Sequence, residues 1–185
     1  MKKILAIMAL ALSSSVFAAT ATLEYQNQNG VNGSADTNNI NLTVKEAFNK
    51  NFTGDVQLSN TYNDSNGAAN SFRGEAGLTG STPIVGTLGL YTRVAAGQKF
   101  TSTTNFTYYS VEPGITAGLG GGFNAKLGYR FRDAFDNNTY ADQTRTVRAG
   151  LSYDINSKNT VGLGYDRQRG DSNQNTWKFN YTRGF

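Results

Sequence analysis

The strictest constraint in this chain is an alternation with a period of two. Over the last residues Trp177, Phe179, Tyr181 and Phe185 share one parity, while Lys178, Asn180, Thr182 and Gly184 occupy the other. Successive side chains of a strand point to opposite faces, so this pattern predicts a strand with one apolar face and one wet face. The pattern recurs upstream. Leu23 and Tyr25, then Ile40, Leu42 and Val44, then Val56, Leu58 and Tyr62 keep one parity within their segments. So do Leu88, Leu90 and Val94, and further on Leu127, Tyr129 and Phe131. In all, about ten such segments lie between clusters of Asn, Gly, Asp and Ser, which are turn-forming residues.

Hydrophobicity on alternate residues only also explains an unusual composition. The chain has 21 Gly, 10 Tyr and 11 Phe, yet its mean hydropathy is −0.46. A transmembrane barrel has this signature, because only every second residue of each strand meets lipid. The predicted fold is an all-β, single antiparallel up-and-down transmembrane barrel of about ten strands, with eight or twelve as alternatives. The connections alternate in length as well. Longer polar ones are expected near 27–39, 63–70, 97–105, 133–143 and 168–175, and shorter ones near 49–51, 80–86, 120–122 and 154–159. Bacterial barrels combine long external loops with short periplasmic turns and an even strand number. Two aromatic girdles are expected: Phe48, Phe52, Phe123, Tyr153 and Phe185 on the periplasmic side, and residues such as Tyr62, Phe72, Tyr109, Tyr165 and Trp177 on the outer side. Glu46 is the one acid on a lipid-facing parity, to be accommodated near the inner interface or by a bulge.

The N-terminus has the form of an export signal. Lys2 and Lys3 precede an apolar run from Ile4 to Leu12, and Val16 and Ala18 supply a small-residue cleavage site. The run is shorter than the roughly 20 residues that span a bilayer. Residues 1–18 are therefore read as a cleaved signal peptide and 19–185 as the barrel domain. Without Lys2 and Lys3, 15 of the 17 basic residues remain against 13 acidic ones, a net of about +2, too mild to argue for nucleic acid. A soluble β-sandwich would explain the alternation, but not the leader, the terminal Phe and the loop asymmetry together.

The closing strand with its final Phe185 resembles that of Gram-negative outer-membrane barrels, and the resemblance implies that Phe185 belongs to the signal read by the barrel-assembly machinery. Ser110-Val111-Glu112-Pro113-Gly114 and Leu127-Gly128-Tyr129-Arg130-Phe131-Arg132 resemble the oligogalacturonate-specific monomeric porins. That likeness implies inward arginines that pass acidic solutes, with Arg93, Arg130, Arg132 and Arg148 as the matching kind of residue.

Parity by itself places a charged set on the inward face: Arg73, Arg93, Glu112, Lys126, Arg130, Arg132, Arg148, Asp166 and Lys178 are the candidate pore-lining residues. Counting along the strands puts Arg73, Arg93, Arg130, Arg132, Arg148 and Lys178 in the outer half, which predicts a vestibule biased toward anions. Inward glycines, among them Gly77, Gly114, Gly128, Gly162 and Gly164, leave room for water or for a long Arg side chain, or permit curvature.

The expected function is a porin-like outer-membrane channel for passive diffusion of small solutes. The alternative is a non-conducting structural or surface-interaction barrel. No enzyme is expected, since the chain has no His and no Cys, hence no usual general base or zinc ligand, and no cofactor is implied. A calcium site at Asp64-Ser65-Asn66-Gly67 or Asp171-Ser172-Asn173 is disfavoured against plain turn chemistry. The expected partners are outer-membrane lipid, lipopolysaccharide, the assembly machinery and small solutes. Lys99, Arg167 and Arg169 near the rim face either lipid phosphates or solvent.

Overall fold

A computed structural model describes residues 19–31, 36–62 and 70–185. Residues 1–18, read from sequence as a signal peptide, and the Asp64–Gly67 segment lie outside the described residues. Ten strands follow one another: β1 (Ala19–Gly30), β2 (Thr37–Ala47), β3 (Phe52–Tyr62), β4 (Ser71–Val85), β5 (Leu88–Phe100), β6 (Asn105–Gly120), β7 (Phe123–Ala134), β8 (Thr144–Asn156), β9 (Asn159–Gly170) and β10 (Gln174–Gly184). Each pairs antiparallel with its chain neighbours, and β1 pairs with β10 to close the barrel. Closure satisfies the backbone groups that an open sheet would leave bare at its edges, the condition for a sheet to exist in lipid. At the seam the Phe185 N–H donates to the Ala19 carbonyl at 3.1 Å.

The distribution of side chains is inverted relative to a water-soluble globule. Among the described residues only five hydrophobic side chains are buried, against seventeen polar or charged ones. Leu23, Leu90, Leu127, Leu151, Leu163 and Phe179 all stand exposed on the outer wall. A continuous apolar band of that extent is not tolerated by a soluble monomer, and it is what a bilayer requires. Glu46 lies on this outward parity with no bulge: the register runs unbroken from Lys45↔Asp55 through Glu46↔Gly54 to Ala47↔Thr53.

The strands are longer, and the connections shorter, than turn-forming residues suggested. β4 runs on through Pro83 to Val85, so 80–86 is largely strand, and β5 and β6 leave only 101–104 between them. β9 and β10 are joined by 171–173. Ladder bonds to a paired neighbour hold Gly, Ser and Asn in extended conformation, whatever their preference for turns in isolation. At the end of the barrel that carries the termini the turns are tight. Gly86 (φ 56°) and Gly121 (φ 59°) take left-handed conformations that other residues rarely adopt, and register shifts lie beside three of these turns. Asn49 and Asn156 each accept two backbone N–H groups through Oδ1, an Asx turn. At the opposite end Asp171 accepts the Gln143 N–H at 2.7 Å and Ser172 receives Gln168 at 2.7 Å. Both side chains are thus committed to turn structure.

Aromatic rings gather at both ends of the outer wall. Phe123 and Tyr153 lie 4.8 Å apart at the terminal end. Tyr165 and Trp177 (4.9 Å) and Tyr109 and Phe135 (5.3 Å) lie at the loop end. Gly54 faces the Phe48 ring, an added Cβ meeting it at 2.6 Å.

Candidate functional site: the charged lumen

Inward residues from all ten strands build layers along the barrel axis. The first, at the loop end, is a cluster of aromatic rings and one folded connection against β5 and β6. Tyr108 on β6 is 1% exposed and fits over Gly97 on β5, where a Cβ would sit 2.6 Å from its hydroxyl. The 135–143 connection bends inward and stacks Tyr140 on Phe106 at 5.1 Å. Asp142 anchors it, with Arg132 at 2.7 Å and Lys99 at 3.8 Å. Lys99, grouped by sequence with the rim arginines, therefore faces the lumen.

The middle layer is a belt of ion pairs. On one side Arg93 of β5 forks onto Asp55 of β3, with Nε–Oδ1 at 2.9 Å and Nη2–Oδ2 at 2.5 Å, and reaches Glu75 of β4 at 2.6 Å. Two parallel N–H···O bonds fix orientation as well as charge. Gly77 makes this possible: a Cβ there would lie 2.5 Å from the guanidinium. On the other side charges alternate in a chain, Lys126–Glu112–Arg148–Asp166–Lys178, from β7 and β6 across β8 and β9 to β10. Glu112, 1% exposed, binds Arg148 through Oε2 and receives Lys126 at 3.2 Å and the Tyr91 hydroxyl at 2.9 Å through Oε1. Asp166 accepts Arg148 Nε at 3.2 Å and is paired with Lys178. The Lys126 ammonium also lies 4.1 Å above the Tyr91 ring, within cation–π range. Desolvated charges persist because each has a partner.

Two cations escape this pairing. Arg73 reaches only the Ser59 hydroxyl, at 3.3 Å. Arg130 leaves a buried Nε without any hydrogen-bond partner. Neither has a carboxylate within ion-pair distance among the described residues. Both line a cavity of about 270 Å³ at the loop end. A second cavity of about 750 Å³ opens from the terminal end, with Arg93, Lys126 and Lys45 in its wall. Gln57, Arg148, Asp166 and Lys178 border both cavities, so this layer is the waist between them.

Strand counting predicts Arg93 in the outer half, and the structure places it lower. Arg93 sits midway along β5 and leans onto Asp55 and Glu75, which brings it to the cavity on the terminal side. Arg148 and Lys178 occupy the waist, while Arg73, Arg130 and Arg132 belong to the loop-end cavity. Sequence reasoning overlooked Tyr91 and Tyr108. Their signal was available: two tyrosines on the wet parity, in strands adjoining glycine-rich inward faces. Gly114 and Gly128, cross-strand partners, both border Tyr91, and an added Cβ would meet it at 2.4 and 2.2 Å. Several inward glycines are therefore sockets for large side chains rather than empty volume.

No family model matches this chain, and no curated protein matches it. Solved structures do. The COG4313 outer membrane channel from Pseudomonas putida F1 superposes with a TM-score of 0.57 at 11% identity, over 94% of this chain and 97% of that one. The KdgM porin in complex with disordered oligogalacturonate gives a TM-score of 0.53 at 13% identity, over 90% and 99%. Similarity at this level of identity establishes a shared fold alone, the closed up-and-down antiparallel barrel.

Proposed function

We propose that this barrel is an outer-membrane channel for passive diffusion of small solutes, with a weak preference for anions. One observation carries the reading. Cavities entering from opposite ends are bounded by the same four residues, Gln57, Arg148, Asp166 and Lys178, so a single layer of side chains separates them. That layer consists of side chains joined by ion pairs, so it parts for water and small ions by side-chain rearrangement, without any change of backbone. Arg73 and Arg130, with no carboxylate at ion-pair distance among the described residues, supply the bias toward anions. The fold shared with outer-membrane channels and the leader-like N-terminus support the location.

Planar-bilayer recording of the refolded protein tests this directly. Discrete conductance steps are expected, with a reversal potential under a salt gradient on the side of chloride. R73Q/R130Q should move that potential toward zero by removing two unpaired charges. A silent bilayer would instead favour a structural or surface-interaction barrel, for which the Tyr91 and Tyr108 packing of the lumen speaks. Assembly provides a separate check. Deleting Phe185 should reduce outer-membrane insertion and leave the protein in the periplasm, whereas undiminished insertion would remove its assembly role.

A further inference from the structure

The outer wall carries a feature that a channel does not need. At the loop end of β8 and β9, Arg145, Arg167 and Arg169 stand on the parity that faces away from the lumen, in line with the exposed Val147, Val161 and Leu163. Arg145 is registered directly opposite Arg169, and Arg167 opposite Val147. Like charges in directly opposed sheet positions are about 5 Å apart at Cβ and repel. No carboxylate among the described residues lies within ion-pair distance of them. Asp133 accepts the Gln143 side chain through Oδ2 at 3.2 Å, its Oδ1 being buried without a partner, and Asp171 accepts the Gln143 backbone N–H at 2.7 Å. Arg169 itself reaches only neutral acceptors, the Gln168 and Gln174 carbonyls and Asn175 Oδ1. Elsewhere at this end the outward positions Asn27, Asn38, Asn60, Gln98 and Thr107 are uncharged, and the one outward acid within a strand there is Asp133, opposite Tyr109.

We propose that Arg145, Arg167 and Arg169 form a binding site for the phosphorylated headgroup of an outer-leaflet glycolipid of the lipid A type. The inference rests on the outer-membrane reading but is independent of conduction. Two observations define the ligand. The first is charge: three guanidinium groups without acidic partners match two phosphate groups, and Arg binds phosphate oxygens through paired, charge-assisted hydrogen bonds. The second is depth. Immediately toward the membrane the same face carries the Tyr165 and Trp177 rings, tilted against one another, and the exposed Tyr129, and such rings sit at headgroup level. A ligand bridging arginines and rings therefore needs an anionic head joined to apolar chains, which a free anion lacks. Ligand phosphate between Arg145 and Arg169 would relieve their repulsion.

Trp177, the single tryptophan, is a native probe beside the site. The full-length mature protein in detergent is titrated with bisphosphorylated lipid A, its dephosphorylated counterpart, phosphatidylglycerol and inorganic phosphate, followed by Trp177 fluorescence and native mass spectrometry. Bisphosphorylated lipid A should bind at least about tenfold more tightly than the dephosphorylated form, the size expected of two charge-assisted contacts. R145Q/R167Q/R169Q should abolish that preference, and R183Q at the opposite rim should keep it. If the triple variant does not fold, R167Q alone serves: Arg167 is exposed and bonds to no described residue, and its loss should cost about threefold. Equal binding of the dephosphorylated lipid, or a preference that survives these substitutions, overturns the site. Equal binding of inorganic phosphate or phosphatidylglycerol overturns its glycolipid identity. A barrel silent in planar bilayers would count against the pore and leave this site standing.

Discussion

Replacing Glu112 by glutamine is expected to destabilise the barrel by about 3–5 kcal/mol, the range for removing one partner of a buried ion pair. Glu112 is the hub of the charge chain: Arg148, Lys126 and Tyr91 all converge on its two oxygens. A neutral amide there leaves Arg148 with Asp166 only and frees Lys126, whose side chain is half exposed and so recovers water. Most of the loss therefore comes from Arg148. Urea unfolding in lipid vesicles would measure it. E112Q/R148Q should be markedly less unstable than the sum of its single variants, because removing both charges leaves no orphan. Function should change in the opposite direction. With one carboxylate gone, the waist becomes more positive and the anion-to-cation permeability ratio rises. Unchanged stability together with unchanged selectivity would show that Glu112 is solvated and the belt is not a unit.

The second large effect concerns two glycines. G128A and G114A should each destabilise by about 1–3 kcal/mol, as overpacking does, because each added methyl would fall within 2.4 Å of Tyr91. Tyr91 cannot simply swing aside, as its hydroxyl is tied to Glu112 at 2.9 Å and its ring lies under Lys126. In a Y91A background the sign should reverse. Glycine in an extended strand loses more conformational entropy on folding than alanine, so G128A then becomes neutral or stabilising by about 0.5 kcal/mol. Equal cost of G128A in both backgrounds would mean that the clash is absorbed elsewhere and the socket is not specific. The cycle distinguishes a fitted glycine from one that merely allows the wall to curve.

These two sites mark the limit of what could be read from the chain alone. Parity placed Glu112, Arg148, Asp166 and Lys178 on one face. Arg73 and Glu75 share a face on β4, two residues apart. Yet Glu75 is taken by Arg93 from the next strand, and Arg73 is left to Ser59. Which cation reaches which carboxylate depends on stagger between strands and on long side chains choosing among several partners. Neither quantity is written in a single strand. The same limit explains the connections: local turn propensity over 97–105 was overridden by ladder pairing in all but 101–104.

What the chain by itself determined is an up-and-down barrel of about ten strands, their direction and the face each residue takes. A period of two is a local property of extended backbone, and a bilayer outside with water inside turns it into an unambiguous code. What only the closed structure decided is the state of the lumen: that Tyr91 fills the space of Gly114 and Gly128, that Arg93 lies on the terminal side of the waist, and that Arg73 and Arg130 remain unpaired. Those outcomes arise from residues far apart in sequence competing for the same volume and the same charges, and that competition begins only once β1 meets β10.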